Sequence, residues 1–113
     1  MRPSFGSSIL KIGESLISSN GKYDLRMQGD GNLVLYCNGA NAIWHSDTHG
    51  HYGAGGLYLQ VDSNLVIYDP YVIWTSDTHQ SGGKTLLVQD DGNVVLYRQN
   101  WSHVWDTGTC NVC

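Results

Sequence analysis

The sequence predicts an all-β fold in which three antiparallel sheets stand around a pseudo-threefold axis, as the faces of a prism. Three observations predict it. The chain repeats itself three times at an interval of about 30 residues, and each repeat alternates strictly between apolar and polar positions. Gly, Asn and Ser also interrupt the chain every few residues, which leaves few segments that could be helical. A β-trefoil is the other threefold design, but its longer repeats need more chain than the 113 residues present. That length suits one core, so residues 1–113 are expected to form a single domain built of the three repeats.

The repeats begin at Gln28-Gly29-Asp30-Gly31-Asn32-Leu33-Val34-Leu35-Tyr36. They continue at Gln60-Val61-Asp62-Ser63-Asn64-Leu65-Val66-Ile67-Tyr68 and Gln89-Asp90-Asp91-Gly92-Asn93-Val94-Val95-Leu96-Tyr97. All three share Gln-x-Asp-x-Asn-x-Val-x-Tyr, and a tryptophan follows each, at Trp44, Trp74 and Trp105. Asp-x-Asn is turn chemistry, so each motif reads as a hairpin. Gln shares a face with Val and Tyr only if the loop has an odd number of residues. A three-residue loop over 30–32 is therefore expected, with Gln28 opposite Val34. Ser63 stands where the other copies have Gly, so the left-handed residue is assigned to the Asn, which tolerates that conformation.

The opposite face carries Leu25, Met27, Leu33 and Leu35 in the first copy and Leu57, Leu59, Val61, Leu65 and Ile67 in the second. Leu86, Val88, Val94 and Leu96 complete it in the third. At ~1.5–3 kcal/mol for each fully buried side chain, this face supplies much of the drive to fold. The three tryptophans are expected to fill the axis where the sheets meet.

Composition narrows the function. Apolar residues make up 41% of the chain and charged residues 14%, the balance of a folded protein rather than a disordered one. No apolar run is long enough to cross a bilayer. Met1 leads into Arg2-Pro3-Ser4-Phe5 without an apolar stretch and cleavage site, so no signal peptide is expected. The expectation is a soluble protein, cytoplasmic or exported by a non-classical route. A net charge of -4 gives no electrostatic reason to bind nucleic acid. Three cysteines, Cys37, Cys110 and Cys113, allow at most one intrachain bridge, with one thiol left free or linked to another chain.

The outward face of each hairpin combines two amides, a carboxylate and a phenol beside one small apolar Val. Such an inventory suits a polyol, whose hydroxyls both donate and accept and whose C–H faces can rest on Val.

The triple motif resembles the mannose-binding motif of the monocot bulb-type lectins, the snowdrop-agglutinin family. The resemblance covers nearly the whole chain, from Leu10 to Thr109. It implies the β-prism II fold and a multivalent, defence-related agglutinin for mannose and high-mannose glycans. By that resemblance Asp30 and Asn32 would hold the axial 2-hydroxyl of mannose, Gln28 the 3-hydroxyl and Tyr36 the 4-hydroxyl, with Val34 under the ring. The same roles fall to Gln60, Asp62, Asn64, Val66 and Tyr68, and to Gln89, Asp91, Asn93, Val95 and Tyr97. The plant members carry a disulfide with one cysteine in the first motif's turn, where this chain has Gly31, so that bridge is absent here. The family often exchanges its C-terminal strand between subunits, which implies a homodimer or higher homo-oligomer through the segment from Trp105 to Cys113. The alternative is a structural or taste-modifying relative with weak or no sugar binding.

No cofactor and no metal is expected. His45, His49 and His51 cluster near Asp47, but the parallel segment Trp74-Thr75-Ser76-Asp77-Thr78-His79 lacks the first histidine, so these read as surface-loop residues. Asp-Gly-Asn is no EF-hand, since that loop ends in a glutamate and Glu14 is the only one present. A glycosidase needs two carboxyls flanking one bond, and each patch supplies one Asp, so no enzyme is expected.

Overall fold

The computed structural model describes residues 7–113, and residues 1–6, on which the signal-peptide reading rests, lie outside them. Among the described residues there are strands and turns but no helix. The strands are β1 (Ser7–Lys11), β2 (Ser15–Ile17), β3 (Tyr23–Met27), β4 (Leu33–Cys37), β5 (Asn41–His45), β6 (Gly56–Leu59), β7 (Leu65–Tyr68), β8 (Val72–Thr75), β9 (Gly83–Val88), β10 (Val94–Arg98) and β11 (His103–Asp106). They form three antiparallel sheets in the orders β2-β3-β4-β5, β1-β6-β7-β8 and β11-β10-β9. Each repeat contributes a hairpin and a returning strand, so each repeat owns one sheet.

The parity reading holds but the register differs from expectation by one residue in the loop. Gln28 N–H donates to the carbonyl of Asn32 (2.9 Å), Met27 stands opposite Leu33 and Arg26 opposite Val34. The loop is therefore 29–31, not 30–32, and its equivalents are 61–63 and 90–92. The left-handed residue follows the loop. In such a hairpin it is the last loop position, occupied by Gly31 (φ 87°), Ser63 (φ 75°) and Gly92 (φ 88°), and not by the Asn. Crowding adds to the demand at Gly31, where a Cβ would meet the His51 carbonyl oxygen at 2.4 Å. The shift also corrects the core assignment. Val61 lies in the loop and is 71% exposed, whereas the other twelve residues assigned to the inner face are buried or pack against the core.

The axis is filled as expected. Trp44, Trp74 and Trp105 meet edge to face in a closed triangle, with centroids 5.8, 5.8 and 6.0 Å apart. A bulge makes this possible in each sheet. The register of β4 with β5 shifts between Leu35 and Tyr36, that of β7 with β8 between Ile67 and Tyr68, and that of β10 with β11 between Leu96 and Tyr97. The extra residue lets two successive side chains face inward, so Ile43 and Trp44, Ile73 and Trp74, and Val104 and Trp105 all pack against the core.

The third sheet has one strand fewer than the others among the described residues. The open edge, however, belongs to β9. The returning strand β11 pairs with β10 of its own chain, and Cys113 is bridged to Cys37, which leaves Cys110 as the free thiol. A second tie joins sheets one and three: Asp90 accepts the Asn20 N–H (2.9 Å) and the Ser19 hydroxyl (2.7 Å), which hold its carboxyl below the usual range.

The register predicts a contrast between two apolar residues. Leu35→Ala removes a side chain with no exposure and should lower unfolding free energy by ~2–5 kcal/mol in urea. Val61→Ala should stay within about 0.5 kcal/mol of the parent. Equal losses at the two positions would contradict the register.

Candidate functional site

Each hairpin builds the same hydrogen-bonded unit on the outward face of its sheet. The Asp folds back over the turn, its Oδ1 accepting the backbone N–H of the Asn two residues on, at 3.0 Å in repeat one, 3.1 Å in repeat two and 3.0 Å in repeat three. Across the hairpin the Gln amide donates to the Tyr hydroxyl in all three copies: Gln28 to Tyr36, Gln60 to Tyr68 and Gln89 to Tyr97. Gln, Asn, Val and Tyr of each copy therefore alternate onto one face, and the Asp stands in the loop beside them.

The Asn is held hardest. Asn32 Oδ1 accepts the Thr48 N–H (3.1 Å) and the Ser46 hydroxyl (3.3 Å). Asn64 Oδ1 accepts from Thr78 (3.0 Å) and Ser76 (3.4 Å), and Asn93 Oδ1 from Thr109 (3.2 Å) and Thr107 (3.3 Å). The Thr N–H can only donate, so a flipped amide would set its own NH2 against it, and Nδ2 is the end each Asn presents for other partners.

These partners form a Ser-x-Thr or Thr-x-Thr pair after each tryptophan. Ser46 and Thr48 bond each other (2.7 Å), Ser46 Oγ accepts the Leu33 N–H (3.0 Å), and Thr48 Oγ1 donates to the Gly31 carbonyl (2.6 Å). The second and third repeats duplicate the arrangement. Ser46-Asp47-Thr48 and Ser76-Asp77-Thr78 follow Trp44-His45 and Trp74-Thr75 directly in the sequence, as Thr107-Gly108-Thr109 follows Trp105-Asp106. Their recurrence at the same place after each tryptophan is the signal that they belong to the repeated unit.

The valines differ from expectation. Val34 is 4% exposed, Val66 1% and Val95 2%, so the apolar spot is a buried floor beneath the polar groups rather than an open patch. The rims are what distinguish the copies. In the first, Arg26 pairs with Asp24 (2.6 Å) and lies over the Tyr36 ring (4.9 Å to the centroid). In the second, Tyr58 meets Tyr68 edge to face at 6.1 Å. In the third, Leu87 stands opposite Val95, Trp101 meets Tyr97 at 5.7 Å, and the Cys110 thiol donates to Asp91 Oδ2 (3.4 Å). That bond to Asp91, more than desolvation, pushes the thiol up from its ordinary pKa.

His49 lies 3.7 Å from Asp47 and His51 3.5 Å from Asp69. Among the described residues no three His, Cys, Asp or Glu side chains gather where a metal ion could be held, and no helix is long and apolar enough to cross a membrane.

No family profile matches the chain. Individual proteins do. A mannose-specific lectin from Aloe arborescens is 39% identical over 100 residues, covering 85% of this chain and 88% of that protein. The chain belongs to the bulb-type lectin family. The B-type lectin plumieribetin of Scorpaena plumieri is 32% identical over 102 residues, with 87% of both chains covered. Among solved bulb-type lectins, the monomeric monocot mannose-binding lectins of Gastrodia elata superpose with a TM-score of 0.79 at 40% identity, over 95% of this chain and 96% of theirs. The three-sheet architecture is accordingly the β-prism II of this family.

The shared hydroxyl partner predicts a graded response at position 76. Ser76→Ala strands the buried Leu65 N–H and should cost about 1–3 kcal/mol in chemical denaturation. Ser76→Thr, the choice the third repeat makes at Thr107, should recover most of that loss. A threonine variant as unstable as the alanine one would contradict the role assigned to this hydroxyl.

Proposed function

We propose that this bulb-type lectin binds mannose and mannose-containing glycans at three sites, one per sheet. The first comprises Gln28, Asp30, Asn32, Val34 and Tyr36, the second Gln60, Asp62, Asn64, Val66 and Tyr68, and the third Gln89, Asp91, Asn93, Val95 and Tyr97. One observation carries the reading: the same locked Asn, folded-back Asp and Gln–Tyr pair recur on three separate faces. A turn that needed only its shape would not repeat a glutamine beside the bend bonded to a tyrosine well beyond it.

The chemistry follows from the orientations. Asn Nδ2 donates and the second Asp oxygen accepts, so a single hydroxyl placed between them is served in both directions. Among the described residues no hydrogen bond reaches that oxygen in Asp30 or Asp62. The Gln side-chain oxygen and the Tyr36 and Tyr97 hydroxyl protons face the next hydroxyls of the ring. A hexose of about a dozen heavy atoms at ~0.3 kcal/mol each binds with ~3–4 kcal/mol, in the millimolar range. Useful affinity for a glycan surface then comes from several sites engaging together, which three faces on one chain provide. Self-association through the C-terminal segment from Trp105 to Cys113 would add to this valence, and the edge of β9, open among the described residues, is a place for a partner's strand.

Two outcomes are expected. Methyl α-mannoside should compete at least several-fold better than the glucose epimer, whose equatorial 2-hydroxyl leaves Asn and Asp without their shared partner at ~1–3 kcal/mol. Equal inhibition in a competition assay would contradict the assignment. Asp30→Ala, Asp62→Ala and Asp91→Ala should each remove about one site in calorimetry and leave the fold intact. Loss of all binding from one of these substitutions would mean a single site.

A further inference from the structure

The third site differs from the first in one side chain that the mannose motif does not explain. Trp101 sits in the turn between β10 and β11, 62% exposed, with φ at 67°. Both choices are unfavourable. A bulky aromatic rarely adopts the left-handed region, and a large apolar ring loses by standing in water. The first repeat gives its corresponding turn Asn38 and Gly39 as left-handed residues, the types that tolerate it.

The turn holds this conformation firmly. Trp101 N–H donates to the Arg98 carbonyl (2.9 Å), Arg98 N–H to the Ser102 carbonyl (2.9 Å), and Asn100 Oδ1 accepts both the Ser102 N–H (3.0 Å) and its hydroxyl (2.7 Å). Arg98 Nη1 reaches the same hydroxyl at 3.1 Å. The indole is thereby set edge to face against Tyr97, 5.7 Å between centroids and 65° between planes. Tyr97 is the outermost motif residue of the third site, so the exposed ring continues that site beyond its phenol. The corresponding place in the first repeat is Ala40.

We propose that Trp101 is the platform of a second sugar subsite, on which the next pyranose of a mannose oligosaccharide stacks while its neighbour occupies Gln89, Asp91, Asn93 and Tyr97. The inference rests on the mannose reading of that site. A pyranose presents a face of C–H bonds that suits an aromatic plane, and a ring fixed beforehand by its turn loses little freedom on binding. The unfavourable backbone at Trp101 is retained because it aims the ring. The third site is therefore selective for extended glycans, whereas the first ends in the Arg26-capped Tyr36.

The test is an isotope-edited NMR titration of the whole chain with methyl α-mannoside and with the common α-linked mannobioses. The Trp101 indole N–H should shift with at least one mannobiose and not with the monosaccharide. That mannobiose should bind the third site about fivefold tighter, followed at the Asn93 side-chain amide. In Trp101→Asn, which keeps a residue at ease in the left-handed turn, the ratio of mannobiose to monosaccharide affinity at Asn93 should fall to about one. An indole that no mannobiose perturbs, or a preference that survives Trp101→Asn, overturns the subsite while the mannose site stands. If methyl α-mannoside leaves the Asn32, Asn64 and Asn93 amides unmoved, the mannose reading fails and the subsite with it.

Discussion

One interaction joins the fold of this protein to its proposed site: the side-chain carbonyl of the motif asparagine, bonded twice to the segment that follows the tryptophan. The two bonds to Asn32 fasten the β3–β4 turn to the chain leaving β5, and the bonds to Asn64 and Asn93 do the same in their sheets. The same contact closes the end of each sheet and fixes which atoms of the amide face outward. A buried polar cluster of this kind is stabilising only when every member is paired. Here the Ser or Thr hydroxyl takes the strand N–H, the second Thr takes the loop carbonyl, and the Asn oxygen receives what remains. Stability and orientation are set by one network.

The bulge before each motif tyrosine is the second constraint. Without it, alternation would send Ile43 and Trp44 to opposite faces, and the tryptophan triangle could not close over a continuous core. With it, the apolar pair turns inward while the tyrosine stays outward, opposite the start of the returning strand. The axis and the outward patches are thus two results of one irregularity, repeated three times.

Most of the architecture was legible because the repeat is exact in five positions and strand parity admits few solutions. The three sheets, the tryptophan axis and the shared face of Gln, Asn, Val and Tyr all follow from it. The loop register was not legible. Parity distinguishes odd from even loops but not one three-residue loop from its neighbour, and the resolving contact, Gln28 N–H to the Asn32 carbonyl, leaves no mark in composition. That ambiguity displaced the left-handed residue and put Val61 inside. The burial of Val34, Val66 and Val95 was hidden for a different reason: their cover comes from flanking strands whose register the pattern does not state. Nor could the sequence say which cysteines meet, since Cys37 and Cys113 are brought together only by the closed prism.

The account's central claim is that three independently built patches present the same donor and acceptor in the same orientation. A crystal structure of the protein with methyl α-mannoside tests it most directly. The account predicts one sugar on each face, with Nδ2 of Asn32, Asn64 and Asn93 within hydrogen-bond distance of a ring hydroxyl that also reaches the adjacent Asp. Sugar bound away from these faces, or an Asn whose amide has turned to release its Ser and Thr partners, would contradict it.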